Sequence, residues 1–204
     1  MNISTRWLRE WVSPDVSDIE LSEKLTMAGL EVDQIAPVAP PFEGLVVGHV
    51  VGCGKHPNAD KLSLCEVDIG TGENLQIICG APNVRKDLKV AVATVGSVLP
   101  NKLKIKRAKL RGVESNGMLC SESEMGISDS HEGIIELDTK SKIGDNVRSV
   151  LDLDEQIIEL DITPNRGDCF SVLGVAREVC VNYDLSLPEL NYKAPQKGKK
   201  TFKS

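Results

Sequence analysis

Residues 102–111 read Lys-Leu-Lys-Ile-Lys-Arg-Ala-Lys-Leu-Arg, and residues 112–121 continue Gly-Val-Glu-Ser-Asn-Gly-Met-Leu-Cys-Ser. Leu103 and Ile105 alternate with lysines, and a period of two is typical of a strand with one buried face and one solvated face. Lysines on the solvated face would stand about 6–7 Å apart, close to the phosphate spacing of a polynucleotide. The pattern predicts a strand over residues 102–106 whose cations either contact nucleic acid or only protect a sheet edge.

Short apolar runs before this basic strand predict a small all-β domain. The runs cover residues 45–51, 64–69, 75–79 and 90–95, and glycine-containing turns at 70–72, 80–83 and 96 separate them. Short strands with regular turn signals indicate a sandwich or a barrel. Together with the basic strand, these runs predict about five strands. An OB-fold, which is a Greek-key barrel, has five strands.

The flanking segments have a different pattern, with helices and single strands. Trp7, Leu8 and Trp11 lie at helical spacing, and Ser17 with Glu20 has the spacing of a capping box. After an alternating run at residues 156–162, Asp168 is a good N-cap for a helix. Because neither flank can bury its apolar face alone, the sequence predicts one discontinuous α+β domain, with the barrel inserted in it. The predicted ranges are 1–38 plus 150–190 for the outer domain, 39–148 for the barrel, and 191–204 for a linker or an artificial chain end.

Composition restricts the possible functions. The chain of 204 residues has a formal net charge of −6, so contact with nucleic acid would have to be local, and we expect no DNA partner. Six cysteines without a Cys-x-x-Cys pair indicate reduced thiols in a cytoplasmic protein and no zinc site. No signal peptide and no apolar run of about 20 residues is present, so we expect no membrane partner. The absence of a closing element after residue 190 suggests a fragment of a longer chain.

Two turns of the predicted barrel carry candidate ligand-binding residues. Residues 55–62 read Lys-His-Pro-Asn-Ala-Asp-Lys-Leu, and residues 79–86 read Cys-Gly-Ala-Pro-Asn-Val-Arg-Lys. Both turns combine glycine, proline or asparagine with cations, which suits either a phosphate site or an ordinary solvated surface turn. The candidate contacts in these turns are Lys55, His56, Asn58, Lys61, Asn83, Arg85 and Lys86.

The basic stretch and the loop after it supply the remaining candidates. Hydroxyl groups there can hydrogen-bond a ribose, although Ser121 with Glu122 and Glu124 also suits a plain capping turn. Aromatic residues make up only 3% of the chain, so base stacking should be minor and structured RNA is the better ligand. The candidate contacts here are Lys104, Lys106, Arg107, Lys109, Arg111, Ser115, Asn116 and Ser121.

The sequence contains little that indicates a catalytic site. The chain has neither a Gly-x-Ser-x-Gly elbow nor a Gly-x-x-x-x-Gly-Lys phosphate loop. Its three histidines lie in a predicted strand, a turn and an acidic loop. None of these positions indicates a catalytic triad. We therefore predict no catalytic residue and no metal ligand.

Three motifs in order resemble the tRNA-binding domain of several tRNA-associated proteins, including methionyl-tRNA synthetase extensions and the EMAP-like cytokine precursors. They are Lys-His-Pro-Asn-Ala-Asp-Lys-Leu at 55–62, Gly-Ala-Pro-Asn-Val at 80–84 and Ala-Lys-Leu-Arg-Gly-Val-Glu-Ser-Asn-Gly-Met-Leu-Cys at 108–120. The segments on either side of the barrel point to a more specific family. The stretches Trp-Leu-Arg-Glu-Trp at 7–11, Met-Ala-Gly-Leu-Glu-Val at 27–32, Asp-Ile-Thr-Pro-Asn-Arg-Gly-Asp-Cys at 161–169 and Gly-Val-Ala-Arg-Glu-Val at 174–179 resemble the N-terminal part of bacterial phenylalanine-tRNA ligase beta subunits.

The resemblance implies a supporting role in aminoacylation. In that family the alpha subunit carries the chemistry in an α2β2 tetramer and uses ATP and magnesium, so this chain would need neither. The implied partners are tRNA(Phe) and the alpha subunit. The competing interpretation is a non-catalytic assembly module, in which the basic stripe docks an acidic partner surface and the barrel is architectural.

Overall fold

The computed structural model describes residues 1–189, so the predicted linker at 191–204 lies outside the described residues. The chain divides into two compact units. The outer unit joins residues 1–35 to those from 157 onward, and the barrel unit spans residues 36–156. In chain order the elements are β1 (Asn2–Ser4), α1 (Thr5–Trp11), α2 (Asp18–Met27), β2 (Glu31–Pro37), β3 (Glu43–His56), β4 (Ala59–Asp68), β5 (Leu75–Cys79), β6 (Lys89–Val98), β7 (Ala108–Leu110), β8 (Val113–Ser115), β9 (Gly117–Leu119), α3 (Val147–Val150), β10 (Gln156–Asp161), a 3-10 helix (Pro164–Cys169) and α4 (Val172–Tyr183).

The outer unit is a three-stranded sheet, β1-β10-β2, with helices packed around a shared apolar core. The predicted capping box is present, because Ser17 accepts from the Glu20 backbone while the Glu20 side chain accepts from the Ser17 backbone. The predicted N-cap of the last helix is wrong. Ser171 caps α4 by accepting from the Gly174 N–H, whereas Asp168 lies in the preceding 3-10 helix.

The barrel unit contains the predicted five-stranded antiparallel sheet, in the order β5-β4-β3-β6-β9. The sheet curls until its edges nearly meet, since the Asn116 N–H donates to the Gln76 carbonyl at 2.8 Å beside the end of β5. Val50, Val67 and Val92 are fully buried in one apolar cluster inside it, whereas Val47, which pairs with Ala91, is buried in a second cluster on the other face of the sheet. Because inward residues alternate along each strand, the aliphatic runs seen in the sequence fill this barrel.

The prediction of a strand at residues 102–106 is wrong. Lys102 has a left-handed φ of 63°, and the Leu103 N–H donates to the Asn101 side chain, so a tight turn takes up the start of the stretch. Lys104 forms only an isolated bridge with Val98. Ile105 is buried at 7% exposure, but Leu103 is 49% exposed. The fifth strand is β9, which pairs with β6.

Candidate nucleic-acid interface

A short hairpin carries two exposed cations of the basic stretch, Lys109 and Arg111. Strands β7 and β8 pair antiparallel with Leu110 opposite Val113, which leaves a two-residue turn of Arg111 and Gly112. Both turn residues have positive φ, 49° and 91°. This is the type I′ geometry, which matches the twist of the strands and usually selects Asn-Gly. The turn fixes where the Arg111 side chain leaves the backbone.

Side chains from two other parts of the barrel hold this hairpin by its carbonyl groups. His56 Nε2 lies 3.1 Å from the Leu110 carbonyl, and the Asn58 Nδ2 donates to the Arg111 carbonyl at 3.0 Å. At the base of the hairpin, Gln76 Nε2 donates to the Glu114 carbonyl at 2.7 Å. The hairpin backbone is therefore fixed relative to β3 and β5.

His56 is buried, in contrast to its predicted position in an exposed turn. Its side chain is only 5% exposed, and its Nδ1 accepts from the Asn58 N–H at 3.1 Å. Because the partner of Nε2 is a carbonyl, one neutral tautomer with the proton on Nε2 satisfies both ring nitrogens. The ring joins its own turn to the hairpin.

A cleft of about 660 Å³ lies between the turn that follows β5 and the basic segment 103–108. Its apolar surface comes from residues such as Ile78, Ile105 and Met118, and Lys104, Lys106 and Arg107 belong to one wall. This volume falls within the range of small-ligand sites, and its cationic wall favours an anionic ligand.

The predicted cations divide into two classes by their partners. Arg85 forms an ion pair with Glu136 at 2.7 Å, so its charge is used inside the barrel unit. Within residues 1–189, the other predicted cations form no ion pair and are exposed. These exposed cations are Lys55, Lys61, Lys86, Lys104, Lys106, Arg107, Lys109 and Arg111. Exposed cations without an ion-pair partner are available to contact an external anion.

Comparison with known families assigns this barrel. Residues 45–146, half of the chain, match the family model described as "Putative tRNA binding domain". The chain belongs to this tRNA-binding family. The match covers β3 to β9, which includes the hairpin and the cleft.

Relatives of this tRNA-binding chain share most of its length. It is 59% identical over 189 residues to the phenylalanine--tRNA ligase beta subunit of Pectobacterium atrosepticum, and 55% identical over 193 residues to that of Idiomarina loihiensis. The alignments cover 93% and 94% of this chain but 24% of each relative, so the chain spans about a quarter of their length. The resemblance inferred from the motifs is thereby confirmed. A MetRS related protein from Pyrococcus horikoshii has 19% identity and a TM-score of 0.37 over 64% of this chain and 96% of its own.

Asn83 and Arg85 of the tRNA-binding barrel are committed to an internal network. Asn83 Nδ2 donates to the Ile134 carbonyl and its Oδ1 accepts from the Ile134 N–H. Hydrogen bonds from Arg85 hold the pKa of Glu136 below its usual range. This network closes the turn after β5 onto residues 134–136.

The predicted hydroxyl and amide contacts occupy different positions. Ser115 is buried at 3% exposure, and Asn116 is half-buried beside the seam of the barrel. Ser121 lines the cleft, but its hydroxyl donates to Glu124 at 2.9 Å in the capping turn that the sequence left as an alternative. Ser115 and Ser121 both line the cleft with the cations, but the buried Ser115 hydroxyl serves the barrel backbone.

Replacing Ser115 with alanine should destabilise the barrel. The hydroxyl accepts from the Ile78 N–H at 3.1 Å and donates to the Gly117 carbonyl at 3.0 Å, which connects β5 to β9. Alanine would leave a buried N–H unpaired, so we expect a loss of about 1–3 kcal/mol in the free energy of unfolding. Urea unfolding measures it. Ser130→Ala, at an exposed serine of the same unit, is the matched control, and equal losses in both variants would contradict this role.

The sequence did not single out Glu124, His131 and Met118 as cleft residues. They come from the loop after β9 and from β9 itself, and they approach the basic wall only in the folded chain. Burial raises the pKa of the neighbouring Cys120 thiol to about 12, so that thiol stays protonated. No local pattern distinguishes such residues from ordinary loop residues.

The outer unit contains a second polar cluster with its own cation. Arg166 forms ion pairs with Asp168 at 3.4 Å and with Glu178 at 2.7 Å. Cys169 completes a group whose ligand atoms lie within 4.8 Å of one another. Because the guanidinium pairs with a carboxylate on each side, this cluster joins the 3-10 helix to α4. In the described part of the chain, no helix is long and apolar enough to cross a membrane.

Proposed function

We propose that this chain holds tRNA through the basic wall of the barrel, as part of a phenylalanine-tRNA ligase beta subunit. The observation that carries the proposal is the set of exposed, unpaired cations on the cleft wall and the hairpin. The proposed phosphate contacts are Lys104, Lys106, Arg107, Lys109 and Arg111, with Lys55, Lys61 and Lys86 at the periphery. Ser121 would contact a ribose, and Asn116 lies next to the hairpin.

The barrel is proposed to be an OB-fold with Greek-key connections, inserted in a discontinuous outer domain. The general ligand surface of OB-folds lies on strands 2 and 3 and the loops around them. In this chain the cleft is lined by β5, which is the third strand of the barrel, and by the loop before β9. The position of the cleft supports the assignment.

The partners of the complete protein are proposed from its relatives. The tRNA would be tRNA(Phe), and an alpha subunit would complete an α2β2 ligase in the cytoplasm. ATP and magnesium would serve that holoenzyme. The described residues do not fit magnesium, because the carboxylates of the cluster around Cys169 already pair with Arg166, and a thiol is a poor magnesium ligand.

Titration with tRNA at several salt concentrations tests the proposal. If all five central cations contact phosphates, log affinity should fall with log salt with a slope of about −3.5 to −4.5. We expect saturable binding that is micromolar or weaker near physiological salt. Absence of saturable binding at low salt, with retained association to the rest of the ligase, would contradict it and favour an assembly module.

A further inference from the structure

Arg111 occupies a backbone position that disfavours its side chain. Its φ of 49° lies in the left-handed region, where residues with a Cβ are uncommon and glycine or asparagine is preferred. It is the first central residue of a type I′ turn, the position usually taken by asparagine. Residues held in such conformations concentrate at functional sites. Fold stability alone gives no reason for arginine here.

The surroundings of Arg111 hold its backbone and leave its guanidinium exposed. Asn58 donates to its carbonyl, and His56 contacts the carbonyl of the preceding residue. The side chain has no ion-pair partner among residues 1–189 and is exposed. A fixed backbone with an unpaired guanidinium is a preorganised anion contact, because less conformational entropy is lost when the ligand binds.

We propose that Arg111 is the affinity-determining phosphate contact of this domain and that His56 and Asn58 are its positioning residues. This inference rests on the proposed tRNA-binding function. The guanidinium presents a planar fork of donors that fits two phosphate oxygens, which the neighbouring lysines cannot reproduce. The motif at residues 55–62 then contributes to RNA binding indirectly, because it holds the hairpin that carries Arg111.

The chain offers a matched pair of variants, Arg111→Gly and Lys102→Gly. Lys102 is also exposed and unpaired, and it also has a left-handed φ, 63°. Both substitutions remove one positive charge and place glycine where its conformational freedom is useful. Only Arg111 is held by side chains from the motif at 55–62.

In the complete beta subunit with its partner subunit, Arg111→Gly should raise the Kd for tRNA by at least about five- to eightfold, the contribution of one phosphate contact near 0.1 M salt. Lys102→Gly should change it by less than about threefold, as expected for an exposed charge without a fixed contact. The melting temperature should not fall in either variant. Equal rises in Kd for the two variants, or no rise in either, would overturn the inference.

A double-mutant cycle tests the positioning role separately from stability. Asn58→Ala should weaken tRNA binding in the parent protein, but it should add little in the Arg111→Gly background, because the contact it positions is already absent. Fully additive losses would show that Asn58 supports only the fold. Absence of saturable tRNA binding by the parent protein would instead refute the proposed function. Parent binding with equal effects of the two glycine variants would refute only the role of Arg111.

Discussion

Replacing Lys104 and Lys106 together by glutamate is expected to lower the affinity for tRNA by roughly 25- to 60-fold near 0.1 M salt. Each phosphate contact releases counterions, and it contributes about 0.7 to 0.9 to the slope of log affinity against log salt. Both lysines belong to the cleft wall, and neither has an ion-pair partner in the described part of the chain. Loss of the two contacts should make the slope of log affinity against log salt less steep by about 1.4 to 1.8. Fluorescence anisotropy with labelled tRNA measures both quantities.

Lys140→Glu with Lys142→Glu provides the control for total charge. These lysines are exposed, lie two residues apart in the same barrel unit and also form no ion pair among residues 1–189. The control therefore makes the same change in net charge away from the cleft wall. It should lower affinity only slightly and leave the slope almost unchanged. If both pairs weaken binding equally, Lys104 and Lys106 are not phosphate contacts.

The parts of the fold that the sequence predicted correctly are those that short segments determine. The capping box of Ser17 and Glu20 forms within four residues, and the aliphatic run at 75–79 coincides with β5. In both cases the residues that carry the pattern also make the interaction. Ser121 and Glu124 likewise form the local capping turn that the sequence allowed.

The basic stretch shows why alternation alone was insufficient. Leu103 and Ile105 have the pattern of a strand, but the turn at Asn101 and Lys102 comes immediately before them and limits pairing to one bridge. The strand that takes the fifth place, β9, begins with Gly117 and has no alternating pattern of its own. Pairing with β6 defines it, as in the register of Leu119 with Val92.

The candidate site was predictable by region but not by role. The motifs at 55–62, 80–84 and 108–120 were correctly identified as parts of one tRNA-binding domain. They could not show that His56 is buried, because its partner is the carbonyl of Leu110, 54 positions away. Every residue has a backbone carbonyl, so the sequence does not show which carbonyl a side chain will contact. A polar residue that binds the backbone therefore has the same sequence signature as one that binds a ligand.

Gly174→Ala is expected to destabilise the outer unit by about 3 kcal/mol, at the upper end of overpacking effects. In most helix interiors this change stabilises by about 0.8–1.0 kcal/mol. Here a Cβ at Gly174 would lie 1.9 Å from the Asp168 carbonyl oxygen and 3.0 Å from the Cys169 Cα. These are backbone atoms, so no side chain can rotate away, and α4 would have to separate from the 3-10 helix. Urea unfolding followed by Trp7 and Trp11 fluorescence measures the loss, since both tryptophans lie in the outer unit.

Gly167→Ala is the matched control within the same segment. A Cβ at Gly167 would have no heavy atom within 4 Å, and its φ lies outside the left-handed region. We expect its free energy of unfolding to change by less than about 0.5 kcal/mol, as for an ordinary surface substitution. A large loss in Gly174→Ala with none in Gly167→Ala would establish that close packing of α4 on the 3-10 helix requires glycine. If Gly174→Ala were as stable as the parent chain, the close approach of these two backbone segments would be contradicted.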